Sequence, residues 1–118
     1  MPDTPSIDPT AIDNLRELNP GDNGEFLKEI ISIYLEDTPK RIAELKASLA
    51  AGDAATFTRA AHTIKGSSSN VGAVALRGVA ERMESISKKQ GLGAMAPLIA
   101  DCEAEFARAA ADLRAITG

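Results

Sequence analysis

Apolar residues recur along the chain at steps of three and four, and over no sustained stretch at steps of two. That is helical periodicity, so the pattern predicts helices and no strands. Ile12, Leu15 and Leu18 form a first short stripe. Asp8 can cap it and Pro9 fits the first helical position, where a missing N–H costs nothing, so a helix is predicted over 9–18. The segment NPGDNG, residues 19–24, reads as a turn cluster. A second helix runs from about Glu25 to Asp37, with Leu27, Ile30, Ile31 and Tyr34 on one face and Phe26 and Ile33 beside them. Thr38-Pro39 leaves two outcomes open. Pro39 either kinks one long helix or opens a new one capped by Thr38. Ile42, Leu45 and Leu49 carry the stripe on to Gly52, the expected residue just past a helix end.

Asp53 then caps a further helix, which contains AAHTIKGSSSNVGA, residues 60–73. Another follows from about Val74 to Lys89, with Leu76, Val79, Ala80, Met83 and Ile86 on its apolar side. QGLG at 90–93 ends it. The last helix, about Met95 to Thr117, places Ile99, Cys102, Phe106, Ala109, Leu113 and Ile116 at steps of three and four, a seam that faces other helices. Cys102 lies in that seam and reads as a small core residue. Short connections between long amphipathic helices make neighbours antiparallel. The expected architecture is all-α: an up-and-down antiparallel four-helix bundle with one or two additional N-terminal helices. It forms one domain over residues 1–118, with 1–7 flexible.

Composition narrows the function. The 118 residues are 44% hydrophobic and 25% charged, ordinary for a soluble protein, and aromatics are only 3%, so aliphatic side chains must fill the core. The net charge of −4 argues against a nucleic-acid partner, because phosphate backbones require a basic face. One cysteine permits no intrachain disulfide, and no Cys/His cluster offers a zinc site, so no metal ligand is assigned. No apolar run is long enough for a membrane span, and MPDTPSIDPT is no secretory signal, which makes the cytoplasm the expected compartment.

His62 is the only histidine. At 3.6 residues per turn, Phe57, Ala61, Ile64, Ser68 and Val71 share the buried stripe of its helix, with Ala60 near it. His62 falls well around from that stripe, toward solvent. Lys65 and Gly66, three and four residues on, share its patch; Arg59 lies on the same side and Ser69 one further turn along. An interior helix glycine costs about 1 kcal/mol relative to Ala. At an exposed position its compensating use is close approach by another molecule, since without a Cβ the surface beside the imidazole is flat. The stripe continues past Gly66 through Ser68 and Val71, so the helix is expected to run on and stop near Gly72. GSSSNVGA lacks the spacing of a phosphate-binding P-loop and follows a helix, not a strand.

An exposed imidazole beside an ammonium, without metal ligands or a partner base, is poor equipment for hydrolysis and suits a group carrier. Neutral imidazole is a competent nucleophile toward phosphorus. At the ordinary histidine pKa of about 6.5, roughly three quarters is neutral at pH 7. Lys65 could reach phosphoryl oxygens. Arg59 could add a second positive charge or be an ordinary surface cation.

The run HTIKGSSSNVGA, followed by Leu76, Val79, Met83 and Glu84, resembles the signature of histidine-containing phosphotransfer (HPt) domains. That family's pattern is H-x-[LI]-K-G-S, then a G-A pair, then a leucine-patterned helix with an L-E pair. The match is at His62, Ile64, Lys65, Gly66, Ser67, Gly72, Ala73 and Leu76, with Met83-Glu84 where the family usually has Leu-Glu. The resemblance extends over roughly residues 8–117. It implies that His62 accepts and donates a phosphoryl group, that Lys65 stabilises it, and that Gly66 leaves room for a partner. Glu84 stands where the family often has a Gln or Glu that can hydrogen-bond the imidazole. The implied partners are receiver domains of response regulators, whose acidic pocket supplies an aspartate and Mg²⁺, and a hybrid histidine kinase. The chain itself would need no cofactor and no enzymatic machinery, and would act as a monomeric shuttle. A different class of reading is a helical interaction module with an inert histidine.

Overall fold

Helix ends in this chain are set by local chemistry. In the computed structural model, residues 5–18, 21 and 24–117 are described. Five helices follow in order: α1 (Pro9–Leu18), α2 (Glu25–Ala51), α3 (Ala54–Asn70), α4 (Val74–Gln90) and α5 (Met95–Thr117). At the start of α1, the Asp8 carboxylate accepts from the Thr10 backbone N–H at 3.0 Å. Asp53 does the same for α3, accepting from the Thr56 N–H at 3.1 Å and the Thr56 hydroxyl at 2.7 Å. The two bonds from backbone N–H groups satisfy donors that the first helical turn leaves without a partner.

The two tight connections share one design. After α2, the N–H of Gly52 bonds the carbonyl of Leu49 and that of Asp53 the carbonyl of Ser48. After α3, Gly72 bonds Ser69 and Ala73 bonds Ser68 in the same way. This crossed pair of bonds needs a left-handed residue, and glycine supplies it at φ 70° and 74° respectively. The turn at Gly72 carries a second constraint. The segment before α1 passes over it: the Asp8 N–H donates to the Gly72 carbonyl at 2.7 Å. A Cβ at Gly72 would lie 2.6 Å from the Ala11 Cβ.

Helices α2 to α5 pack around a ring, each against the next and α5 against α2, while α1 packs on α2. This is the expected antiparallel four-helix bundle with one additional N-terminal helix. Pro39 did not start a new helix: α2 runs unbroken through it for 27 residues. Pro39 is exposed while Thr38 is buried, so the missing N–H falls on the outer side of the helix. The core joins Leu27, Ile31 and Tyr34 of α2 to Phe57, Ala61 and Ile64 of α3, Leu76 and Met83 of α4, and Ile99, Cys102 and Leu113 of α5. Burial pushes the Cys102 thiol up to about 12, which suits its place as an inert core side chain.

Two large apolar side chains are exposed among the described residues. Leu18, in the last turn of α1, is exposed, although Ile12 of the same stripe is buried. Ile33 is also exposed, because two residues on from the buried Ile31 it sits about 160° around the helix from it. One polar bond does cross the core: the hydroxyls of Tyr34 and Ser68 meet at 2.8 Å. Burial raises the Tyr34 phenol to about 12, with the bond to Ser68 opposing the rise, so the phenol stays protonated. The pair pins the register of α2 against α3. Of the N-terminal stretch expected to be flexible, residues 1–4 lie outside the described residues; Ser6 is buried and Ile7 packs against the core. The expected turn cluster at 19–24 is described only at Gly21 and Gly24.

Gly72→Ala should destabilise the fold by about 1–3 kcal/mol, from a left-handed backbone forced on a residue with a Cβ and from the close approach of α1. Urea unfolding measures the loss, and an unchanged midpoint would show that the turn relaxes freely.

Candidate functional site

The site lies on the outer seam of α3 and α4. Phe57, Ala60, Ala61, Ile64, Ser68 and Val71 are all buried, so the inner face of α3 is the stripe expected from its periodicity. Opposite that stripe, the side chain of His62 is 64% exposed. The helix continues past Gly66 to Asn70. A Cβ built on Gly66 would meet nothing within 4 Å, so the surface one turn from the imidazole is bare backbone.

Across the seam, α4 contributes Glu84. Its carboxylate is divided between two partners. Oε2 lies 2.9 Å from Nδ1 of His62. Oε1 lies 2.7 Å from Nζ of Lys65. The Glu84 side chain is only 13% exposed and that of Lys65 27% exposed, so the ion pair forms the inner floor on which the wetter imidazole rests. The Lys65 ammonium holds the Glu84 carboxyl below the usual carboxylate range; partial burial opposes this, and His62 adds to it. An ionised carboxylate can only accept hydrogen bonds. Nδ1 must therefore be the donor, and in the neutral ring the lone pair is on Nε2. The geometry thus fixes a tautomer and points the nucleophilic nitrogen away from the carboxylate.

The seam is braced below the imidazole. The hydroxyls of Thr58 on α3 and Ser87 on α4 meet at 2.7 Å, about one turn from the His62–Glu84 pair. Beside it a shallow hollow of about 270 Å³ is lined by Lys65, Glu81, Glu84, Ser85, Lys88 and Lys89.

The other residues singled out from the sequence fall in different places. Ser69 is exposed on α3, and its backbone carbonyl serves the Gly72 turn. Arg59 is not brought to the imidazole. Its guanidinium donates to the Thr56 hydroxyl at 3.4 Å, toward the start of α3, following the backward lean of helical side chains. The bond between Thr58 and Ser87 and the direct ion pair of Lys65 with Glu84 had no signal in the sequence. Both depend on how α3 and α4 are aligned, which periodicity within one helix does not reveal. No group of three or more His, Cys, Asp or Glu that could hold a metal ion occurs among the described residues. Nor is any helix among them long and apolar enough to cross a membrane.

The Hpt domain family profile matches residues 29–115, which takes in most of α2 and all of the α3–α4 seam. The chain belongs to the Hpt domain family. This Hpt domain is 35% identical over 79 residues to multistep phosphorelay regulator 1 of Schizosaccharomyces pombe. The match covers 67% of the chain but spans only 27% of that relative's length. Among solved structures it is similar to histidine-containing phosphotransfer protein B (HptB) of Pseudomonas aeruginosa, with a TM-score of 0.85 and 31% identity over 94% of this chain and 93% of the other. The HPT domain of an Hpt sensor hybrid histidine kinase from Shewanella shares the fold at a TM-score of 0.71, with 19% identity over 89% and 90% of the two chains.

The ion pair makes acid sensitivity local. A carboxyl whose folded pKa lies below its ordinary 4.5 contributes stability that is complete above that pH and is lost as the pH falls through the lower folded value. Glu84→Gln should therefore lower the melting temperature at neutral pH, and the deficit should close as the pH drops below 4.5. Parallel melting curves over a pH series check this; a deficit constant with pH would show that the ionised pair contributes nothing.

Proposed function

We propose that this Hpt domain carries a phosphoryl group on Nε2 of His62 and passes it between receiver domains of a phosphorelay. The observation that carries the reading is the fixed tautomer: Nδ1 is tied to Glu84 at 2.9 Å while the rest of the ring stands in solvent beside Gly66. Phosphoryl transfer asks for positioning and charge neutralisation more than covalent help. His62 supplies an exposed lone pair on Nε2 with no partner base needed. Lys65, one turn along α3, is near enough to trade part of its contact with Glu84 for the oxygens of the incoming group.

The donor and acceptor are receiver domains of response regulators, whose aspartate and Mg²⁺ supply what this chain lacks; a hybrid histidine kinase is the source of the phosphate. The chain contributes no cofactor and no kinase or hydrolase machinery of its own. A bare turn at Gly66 lets an acidic receiver pocket approach the imidazole closely, and the cations Lys65 and Lys88 complement its charge. Ile33 offers an uncovered apolar contact: it adjoins Tyr34, whose hydroxyl meets Ser68, and so lies level with the later turns of α3. The domain acts in the cytoplasm as a monomer on this reading.

Incubation with a phosphorylated receiver should place one acid-labile phosphate on the chain, and His62→Gln should abolish the label. A mutant labelled as well as the parent would end the assignment. Lys65→Ala should slow transfer about tenfold to a hundredfold in rapid-mixing experiments while circular dichroism stays unchanged, the range expected for losing one charge-assisted contact to the transferring group. Gly66→Leu should weaken receiver binding at preserved helicity, and equal affinity would show that the bare turn is not part of the docking surface. A chain that binds receivers tightly but never acquires phosphate would be an interaction module instead.

A further inference from the structure

Phosphoryl transfer through Nε2 leaves a proton on Nδ1, and what becomes of it decides how easily the phosphoryl group departs. In the forward step the Nε2 lone pair attacks phosphorus. The N–P bond forms, the P–O bond to the receiver's acyl phosphate breaks, and its electron pair stays on the donor carboxylate. Nδ1 keeps its hydrogen, so the product ring is an imidazolium carrying a phosphoryl group. In the onward step an acceptor carboxylate oxygen attacks phosphorus, the N–P bond breaks, and its pair returns to Nε2, which leaves as neutral imidazole. If Nδ1 loses its proton to water in between, the departing group is an imidazolate, a far poorer leaving group. The same balance governs hydrolysis, in which water attacks phosphorus and releases inorganic phosphate.

We infer that Glu84 retains the Nδ1 proton on the phosphorylated ring and thereby keeps the phosphoryl group transferable, while Lys65, sharing the same carboxylate, limits that hold. The inference rests on the phosphoacceptor role proposed above. Oε2 is already at 2.9 Å from Nδ1, and the carboxylate is anchored on its other side by Lys65 at 2.7 Å. A fixed anion beside a group that becomes cationic favours the charged form.

The remaining charges near the ring are committed elsewhere or stand off. On α3, Arg59 leans to Thr56. On α4, Glu81 pairs with Arg77 at 3.8 Å, and Lys88 and Lys89 line the hollow beyond Glu84. On α2, which packs against the other side of α3, Asp37 and Glu44 are both bound to Arg41. Glu84 is the charged group in contact with the imidazole among the described residues. When the phosphoryl group arrives, Lys65 gains a second anionic partner. Each move of its ammonium toward the phosphoryl oxygens leaves more of the Glu84 charge to the ring. The two residues thus work in opposition: Lys65 steadies the phosphoryl group, and Glu84 keeps its leaving group protonated.

The test separates charge from orientation. The whole chain is loaded with phosphoramidate, a small donor that needs no receiver, and the phosphohistidine ³¹P resonance is followed against pH. Glu84→Gln keeps an oxygen that accepts from Nδ1 but removes the charge. The midpoint should fall by about one pH unit in that variant, and above both midpoints its phosphohistidine should hydrolyse up to about tenfold more slowly, one unit of pKa being one factor of ten in protonated fraction. Glu84→Asp, which restores the charge, should recover part of the shift, and it provides the reading if the Gln variant folds poorly by circular dichroism. Equal midpoints in the parent and both variants would overturn the inference while leaving His62 as phosphoacceptor. No phosphohistidine resonance on the parent chain, by phosphoramidate or by a phosphorylated receiver, would overturn the phosphoacceptor role and the inference with it.

Discussion

One carboxylate on α4 serves two side chains on α3, and it can do so only while the two helices hold a fixed register. Glu84 reaches Nδ1 of His62 and Nζ of Lys65 at hydrogen-bonding distances with different oxygens. A slip of one residue would rotate Glu84 by about 100° and end both contacts. The register is secured at two levels. The Gly72 turn closes the hairpin with its crossed backbone bonds, and the Thr58–Ser87 bond ties it about a turn below the imidazole. The chemistry of the seam therefore depends on a backbone turn and a hydroxyl pair that carry no chemistry themselves. Of these, the φ of 74° at Gly72 is the least replaceable.

Polarity is distributed with some economy through the bundle. The core admits the Tyr34–Ser68 bond, which satisfies two hydroxyls together and leaves neither with the cost of a lone buried polar group. At the seam the arrangement is different. Glu84 and Lys65 are partly covered, near enough to bulk water to exchange partners and far enough from it for their attraction to matter. His62 stands outside both. A fully buried triad would be rigid but closed to visitors; a fully exposed one would fix no tautomer.

Much of this was legible in the sequence. Four of the helices begin and end within a residue or two of where caps and glycines put them, and the inner face of α3 was readable from Phe57 to Val71. Hydrophobic period and cap chemistry are local, so a single segment carries the information. The outcome at Pro39 was not decidable, because a proline late in a helical pattern fits either a helix start or an interior position; burial of the stripe on both sides of it, from Tyr34 to Leu45, holds α2 together. The exposed position of His62 and the open space at Gly66 followed from the same wheel. What periodicity could not give was the relation between helices. It could not direct Arg59 to Thr56, couple Lys65 to Glu84, or reveal that Leu18 lies outside the core. The position of Glu84 was available only through its family pattern, since nothing within α4 says which residue of α3 it meets.

The shortness of the turn at Gly72 has a further meaning for how the molecule comes into being. His62 and Glu84 are 22 residues apart, on helices that are neighbours in both sequence and space. Loop-closure entropy rises with the length of chain that must be brought together, so contacts of this kind are inexpensive to establish during folding. The imidazole and its carboxylate belong to one helical hairpin, so their contact closes only a short loop of chain. The pairing of α2 with α5, which closes the ring, joins residues far more distant along the chain. The seam is thus built from short-range contacts, and closure of the bundle from long-range ones.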